Sequence, residues 1–178
     1  MFSHSIRLPP HLWYNIREMK DISQQITDKD SQRMKDNIFL LMEGEKGLKP
    51  EATLILSRMQ PEFCGCSFQN KTLTVAFPVL EEELNRSRNM MGGMIATAFD
   101  AVFGLLVYAI DGELMPPTIN LNINYVRPVP EGDRLILTVR IDSYGRKIVH
   151  LSGTGVSESS GNTVSTATTI ILSPAMMR

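Results

Sequence analysis

Cysteine is scarce in this chain, runs of basic residues are missing, and there is neither a repeat nor a low-complexity linker. Each absence excludes something. The two cysteines, Cys64 and Cys66, are too few for a disulfide framework in 178 residues. Only Gly65 separates them, so on a strand they would share one face. A bridge between such near neighbours is strained, and no further Cys or His stands beside them to complete a zinc site. They read as reduced packing thiols, which suits a cytoplasmic protein. Eighteen basic residues against nineteen acidic ones leave a net charge of −1. No broad basic surface for nucleic acid follows from that balance, although a few cations remain for one small anion. The stretch from Met1 to Trp13 carries Arg7, prolines and histidines but no apolar core, so it is not expected to act as a secretory signal. His4, His11 and His150 show no metal-like spacing.

What is present is ordinary for a globular protein: 43% hydrophobic and 21% charged residues. The length suits one domain that buries about 70% of its unfolded surface and needs no metal or disulfide to fold. The first third reads as helical. Pro9 and Pro10 precede a segment, His11 to Gln25, that can start a helix with Pro at its first turn. A second helix is expected from Ser31 to Glu45, where Met34, Ile38, Leu41 and Met42 recur at helical spacing. Pro50 opens a short further turn through Leu56. The remainder reads as β-rich. Phe63 to Gln69 and Thr72 to Pro78 form a hairpin around Asn70-Lys71. An acidic, polar stretch from Glu81 to Asn89 then leads into an apolar run. Strands are expected over Thr118 to Val126, Leu135 to Ile141, Lys147 to Ser157 and Thr163 to Leu172, separated by turn signals. In the first of these, Ile119, Leu121, Ile123 and Tyr125 alternate with Asn120, Asn122 and Asn124. The fold class is therefore α+β, an antiparallel sheet with one long helix. An N-terminal helical extension (1–56) precedes the sheet domain (57–178).

The apolar run, Gly92 to Ile110, is nearly long enough to cross a bilayer. Asp100 in its middle argues against that, at about 3 kcal/mol on insertion scales. A helix apolar all round is instead expected to be wrapped by its own sheet, with no membrane span. Any side the sheet leaves open would want a second copy of the chain. Asp100 is the chemical outlier: a carboxylate in such surroundings needs partners or a purpose. Either it serves a functional site, or it points out of the helix into a structural hydrogen-bond network. Gly92-Gly93 opens the same helix, where backbone N–H groups lack partners and a substrate carbonyl can come close. Asp100 follows Gly93 by seven residues, two turns, and lies on the same side about 10 Å further along.

These residues resemble a known pattern. Hotdog-fold acyl-CoA thioesterases of the phenylacetate-pathway type show an Asn, a short loop, His-Gly-Gly opening the central helix, and an acid seven positions after the second Gly. Here Asn85, Met91-Gly92-Gly93 and Asp100 stand in that order and spacing. The segment Ile119 to Pro128 resembles the family's strand ending in Arg-Pro, Glu131-Gly132-Asp133 its next turn, and Gly145-Arg146 its later Gly-Arg turn. The resemblance runs from Phe77 to Leu172. It departs at Met91, where the family's histidine is replaced by a side chain that neither titrates nor donates a hydrogen bond.

The resemblance implies hydrolysis of an acyl-CoA thioester without a cofactor or metal. Asp100 would act as general base toward water, or as nucleophile. Gly92, with Gly93, would hold the thioester oxygen; Asn85 would orient the water or thioester; Thr118 would bind the same water or merely start a strand. Arg127, Arg146 and Lys147 are the candidate cations for the CoA phosphates, or else solvated turn charges. Met90, Met91 and Met94 suit either a plain core or an adaptable acyl pocket. Such sites form between chains, so a homodimer or dimer of dimers is expected. A hotdog protein that senses acyl-CoA without cleaving it is the competing reading. An acyl-thioester dehydratase fits less well, because no histidine lies in the helix region.

Overall fold

A computed structural model describes residues 28–42, 55–112 and 115–177. The helix expected over 11–25 lies outside the described residues, as do 43–45 and 50–54. Residues 28–42 are helical throughout and are called α1; they include three residues ahead of Ser31, where apolar spacing put the start. It buries Met34, Ile38 and Met42 at successive four-residue intervals. A four-residue helix, α2 (Ile55–Arg58), leads into the hairpin β1 (Glu62–Ser67) and β2 (Thr72–Pro78). A 3-10 turn (Glu81–Glu83) and the 84–91 loop then deliver the long helix α3 (Gly92–Asp111). Gly112 ends α3 in the left-handed conformation at φ 81°, its N–H bonded to the Tyr108 carbonyl at 2.7 Å. Strands β3 (Thr118–Tyr125), β4 (Arg134–Tyr144), β5 (Ile148–Ser157) and β6 (Thr163–Leu172) complete the sheet.

The sheet has six strands in the order β1-β2-β4-β5-β6-β3, every neighbour antiparallel. Its inner face is built by alternation: Leu73, Val75 and Phe77 on β2, then Leu135, Leu137 and Val139 on β4, all buried. Against them α3 lays Phe99, Val102, Phe103 and Leu106, each worth about 1.5–3 kcal/mol of burial. Gly153 lets helix and sheet approach, and Gly155 makes room between neighbouring strands. A Cβ at Gly153 would lie 2.9 Å from Val139 Cγ1 and 3.0 Å from the Phe99 ring, and one at Gly155 would lie 2.3 Å from Ser165 Oγ. The segment with the length and apolarity of a membrane span is thus a core helix. Helix α1 shares this core and donates Asn37 Nδ2 to the Ala109 carbonyl near the end of α3, at 3.1 Å.

The outer face is different. One rung of paired residues runs Thr74, Thr138, Thr154, Thr166, Asn124 across five strands. The next reads Thr72, Arg140, Ser152, Thr168, Asn122.

Two expectations change. Strand β4 extends three residues past Ile141, with a register shift against β5 between Ile141 and Ser143. On β3 only Leu121 and Ile123 pack against the core, while Ile119 and Tyr125 are exposed. The reason is position: β3 is an edge strand, and its pairing with β6 shifts register between Thr118 and Asn120.

Candidate active site

The loop before α3 is a small hydrogen-bonded frame. Asn85 Oδ1 accepts the backbone N–H groups of Ser87 (2.9 Å) and Asn89 (3.2 Å), and Asn85 N–H donates to the Asn89 carbonyl at 2.8 Å. Arg88, at φ 55°, forks onto the Glu131 carboxylate and ties the loop to the β3–β4 turn. That pairing holds the Glu131 carboxyl below its ordinary range. Met90 N–H bonds the Val129 carbonyl and Met91 N–H the Glu83 carbonyl, both at 2.8 Å. With its oxygen used inside the loop, Asn85 offers a ligand the donor chemistry of its amide NH2.

Beneath the helix start lies Glu83, 2% exposed. Burial pushes its carboxyl up, against a lowering contribution from the Leu80 N–H, which Oε2 accepts at 3.4 Å.

Asn85, Met90, Gly92, Ile95, Tyr125 and Arg127 border one groove of about 360 Å³. Met91 caps α3 with extended backbone and no side-chain hydrogen bond. Among the described residues no acceptor meets the N–H of Gly92 or Gly93, as expected for the first turn of a helix. Gly92 lines the groove, so the positive end of the helix dipole lies at its edge. Arg127 is fixed at the rim, its Nη1 donating to the Thr163 carbonyl at 2.8 Å.

Asp100 stands elsewhere. Asp100 points out of the helix and is exposed, because α3 leaves one stripe, Gly93, Thr97 and Asp100, outside the core. Thr118 Oγ1 donates to Asp100 Oδ1 at 2.7 Å. This pair sits about 12 Å along α3 from Gly92, and at the opposite end of β3 from Tyr125. Arg146 and Lys147 occupy the β4–β5 turn, closed by Gly145 N–H to the Ile148 carbonyl at 3.0 Å. Lys147 O accepts the Ser173 N–H, and Leu172 N–H bonds the Pro117 carbonyl, which puts this turn at the Thr118 end of the sheet. One chain therefore gathers the candidate residues into two groups: Asn85, Gly92, Gly93 and Arg127 at one end, Asp100, Thr118, Arg146 and Lys147 at the other. Among the described residues no group of three or more His, Cys, Asp or Glu is placed to hold a metal.

Tyr125 and Glu83 belong to this region, and sequence reasoning gave them no role. The Tyr125 hydroxyl donates to the Gly92 carbonyl at 2.8 Å, and its ring lies where a Cβ on residue 92 would meet it at 3.3 Å. The available signal was a tyrosine immediately before the Val-Arg-Pro end of an edge strand.

Residues 88–164 match the family model for the thioesterase superfamily. No curated protein sequence matches the chain. Among solved structures, the Escherichia coli PaaI protein from the phenylacetic acid degradation operon superposes with a TM-score of 0.67 at 16% identity, covering 80% of this chain and 94% of that one. Mouse thioesterase superfamily member 2 gives 0.63 at 14% identity, with 80% and 96% covered. A Streptococcus mutans protein bound to acetyl CoA gives 0.55 at 25% identity, with 62% and 87% covered. The architecture is the hotdog fold, and the resemblance to phenylacetate-type thioesterases read from the sequence is borne out.

Proposed function

We infer that this chain, with a thioesterase-superfamily segment on a hotdog fold, hydrolyses acyl-CoA thioesters at a site composed from two copies. The observation that carries this reading is the pairing of Thr118 with an exposed Asp100 on the same helix whose first residue, Gly92, lines a groove. Asp100 takes a proton from water while Thr118 fixes its carboxylate. The water adds to the thioester carbon, and the oxygen that becomes negative is held by the Gly92 and Gly93 N–H groups. Collapse of the adduct expels the CoA thiolate and leaves the free acid. Asn85 contributes an amide donor to the thioester or the water.

A second copy answers the separation seen in one chain. Ile119, Tyr125, Val126, Met91 and Met115 are all about half exposed, an apolar fringe along the edge strand β3 and the open side of α3. A two-fold axis across this fringe sets the Asp100 end of one copy against the Asn85–Gly92 groove of the other. The same operation carries Arg146 and Lys147 toward the partner's Arg127, three cations for the phosphates of CoA. The acetyl CoA-bound Streptococcus mutans structure has the same fold and supports a CoA ligand.

Met91 favours a second reading, in which the protein binds acyl-CoA without cleaving it, because the family's imidazole is gone. Free-thiol release from short, long and aromatic acyl-CoAs separates the two. Hydrolysis predicts turnover by the wild-type protein and a loss of about 10²–10⁴-fold in Asp100→Asn, which keeps the shape and removes the base. Binding of acyl-CoA with no turnover by either protein establishes the sensor instead.

A further inference from the structure

The Tyr125 hydroxyl has no obvious structural need for its partner. In the single chain Tyr125 is 54% exposed, so folding of that chain does not oblige its O–H to find a protein partner. The Gly92 carbonyl already has the Ala96 N–H from the helical ladder. The phenol is a second donor on one oxygen, reached from an edge strand 33 residues away. Its consequence lies on the other side of the peptide bond. The Gly92 carbonyl and the Gly93 N–H belong to a single planar, conjugated amide. Drawing electron density onto that oxygen makes the attached N–H a stronger donor, which is how hydrogen-bonded amides reinforce one another. The neighbouring amide is treated alike: the Met91 carbonyl, which shares its peptide with the Gly92 N–H, accepts from Met94 N–H (2.9 Å) and Ile95 N–H (3.1 Å). Both free N–H groups at the start of α3 thus share a peptide with a carbonyl that accepts two hydrogen bonds.

We propose that Tyr125 is a positioning residue for hydrolysis: its hydroxyl polarises and orients the Gly92–Gly93 peptide so that the Gly93 N–H holds the thioester oxygen as it becomes an oxyanion. The geometry supports this in a second way. The ring rests where a side chain on residue 92 would otherwise project, so the absence of a Cβ admits the tyrosine as well as the substrate. Free rotation of a Gly-Gly segment is the weakness of such an anion hole, and the phenol bond restrains it. This inference rests on the hydrolase reading above but concerns a residue to which the sequence pattern assigned no role.

Tyr125→Phe keeps the ring and deletes the donor. An oxyanion donor is worth about 10²–10³ in kcat, and cooperative strengthening adds about 10–30% to a bond, so kcat is expected to fall about two- to eightfold with KM little changed. Fluorotyrosines at position 125, whose hydroxyls donate more strongly, are expected to restore or exceed wild-type kcat below their own ionisation. A merely structural bond would not follow phenol acidity. In parallel, ¹⁵N-glycine labelling reduces the amide spectrum to the chain's twelve glycines. The Gly93 amide proton, assigned by Gly93→Ala, is expected to move upfield in Tyr125→Phe. An active wild type with unchanged kcat in Tyr125→Phe, or an effect confined to KM, overturns the proposal and leaves the hydrolase reading standing. If the wild type cleaves no thioester, the hydrolase reading fails by itself, and an unmoved Gly93 proton sinks the polarisation as well.

Discussion

Asp133 and Glu83 are both buried carboxyls, and their surroundings drive them in opposite directions. Burial pushes Asp133 up, but it accepts hydrogen bonds from Ser157 Oγ (2.6 Å), Ser159 Oγ (2.9 Å) and the N–H groups of Ser159 and Arg134, which together hold it below the ordinary range. Glu83 has one long bond and stays high. A group whose folded pKa is depressed stabilises the fold above its unfolded value and loses that contribution as pH falls through the folded one. Asp133→Asn is therefore expected to lose about 1–3 kcal/mol in urea unfolding at neutral pH. The gap to wild type should close below about pH 4, where the unfolded carboxyl protonates. A gap that persists in acid would mean that the amide disturbs packing rather than charge. At this scale Asp100 stood out in the sequence as the one charge in an apolar run. Tyr125 did not, because alternation grouped it with Ile119 and Ile123, and its partner is a backbone carbonyl that no side-chain pattern marks.

Among the elements, periodicity carried furthest where both sides of a residue are decided by the core. Helix α3, β2 and β6 lie where apolar spacing puts them, to within a residue. Edges were less legible: β3 has one neighbour, so its end residues Ile119 and Tyr125 obey the alternation without being buried by it. What sets the spacing between helix and sheet was invisible in sequence, because Gly153 is defined by what it lacks. Its missing side chain leaves room for Val139 and the Phe99 and Phe103 rings. Gly153→Ala is expected to cost about 1–3 kcal/mol as overpacking. Because Phe99 precedes Asp100, the displaced helix should also lower kcat, read as a falling Tm together with falling thiol release. Lost stability with full activity would show that the helix yields without turning.

The arrangement of the whole molecule sets a test that no single-site variant can. In a two-fold dimer with shared sites, Asp100→Asn and Asn85→Ala subunits are each inactive as homodimers. Mixed after reversible unfolding, half the dimers are hybrid, and each hybrid has one intact site and one doubly altered. Activity should return to about a quarter of wild type. Mixtures that remain silent would place the complete site within one chain. The resemblance read along the chain implies a shared site. What it did not convey is the reason within one chain: β3 spans the distance between the two groups and holds Thr118 and Tyr125 apart at its two ends.

The threonine rungs on the far side of the sheet decide what that face asks of its surroundings. A β-branched side chain keeps a strand extended, and its hydroxyl can be wetted, so Thr74, Thr138, Thr154 and Thr166 suit the strands without calling for an apolar cover. With valine in those places the sheet would present a continuous oily wall, and the architecture would have to add a third layer or stack on itself. One methyl exchanged for one oxygen, repeated strand by strand, is what frees this face of that demand.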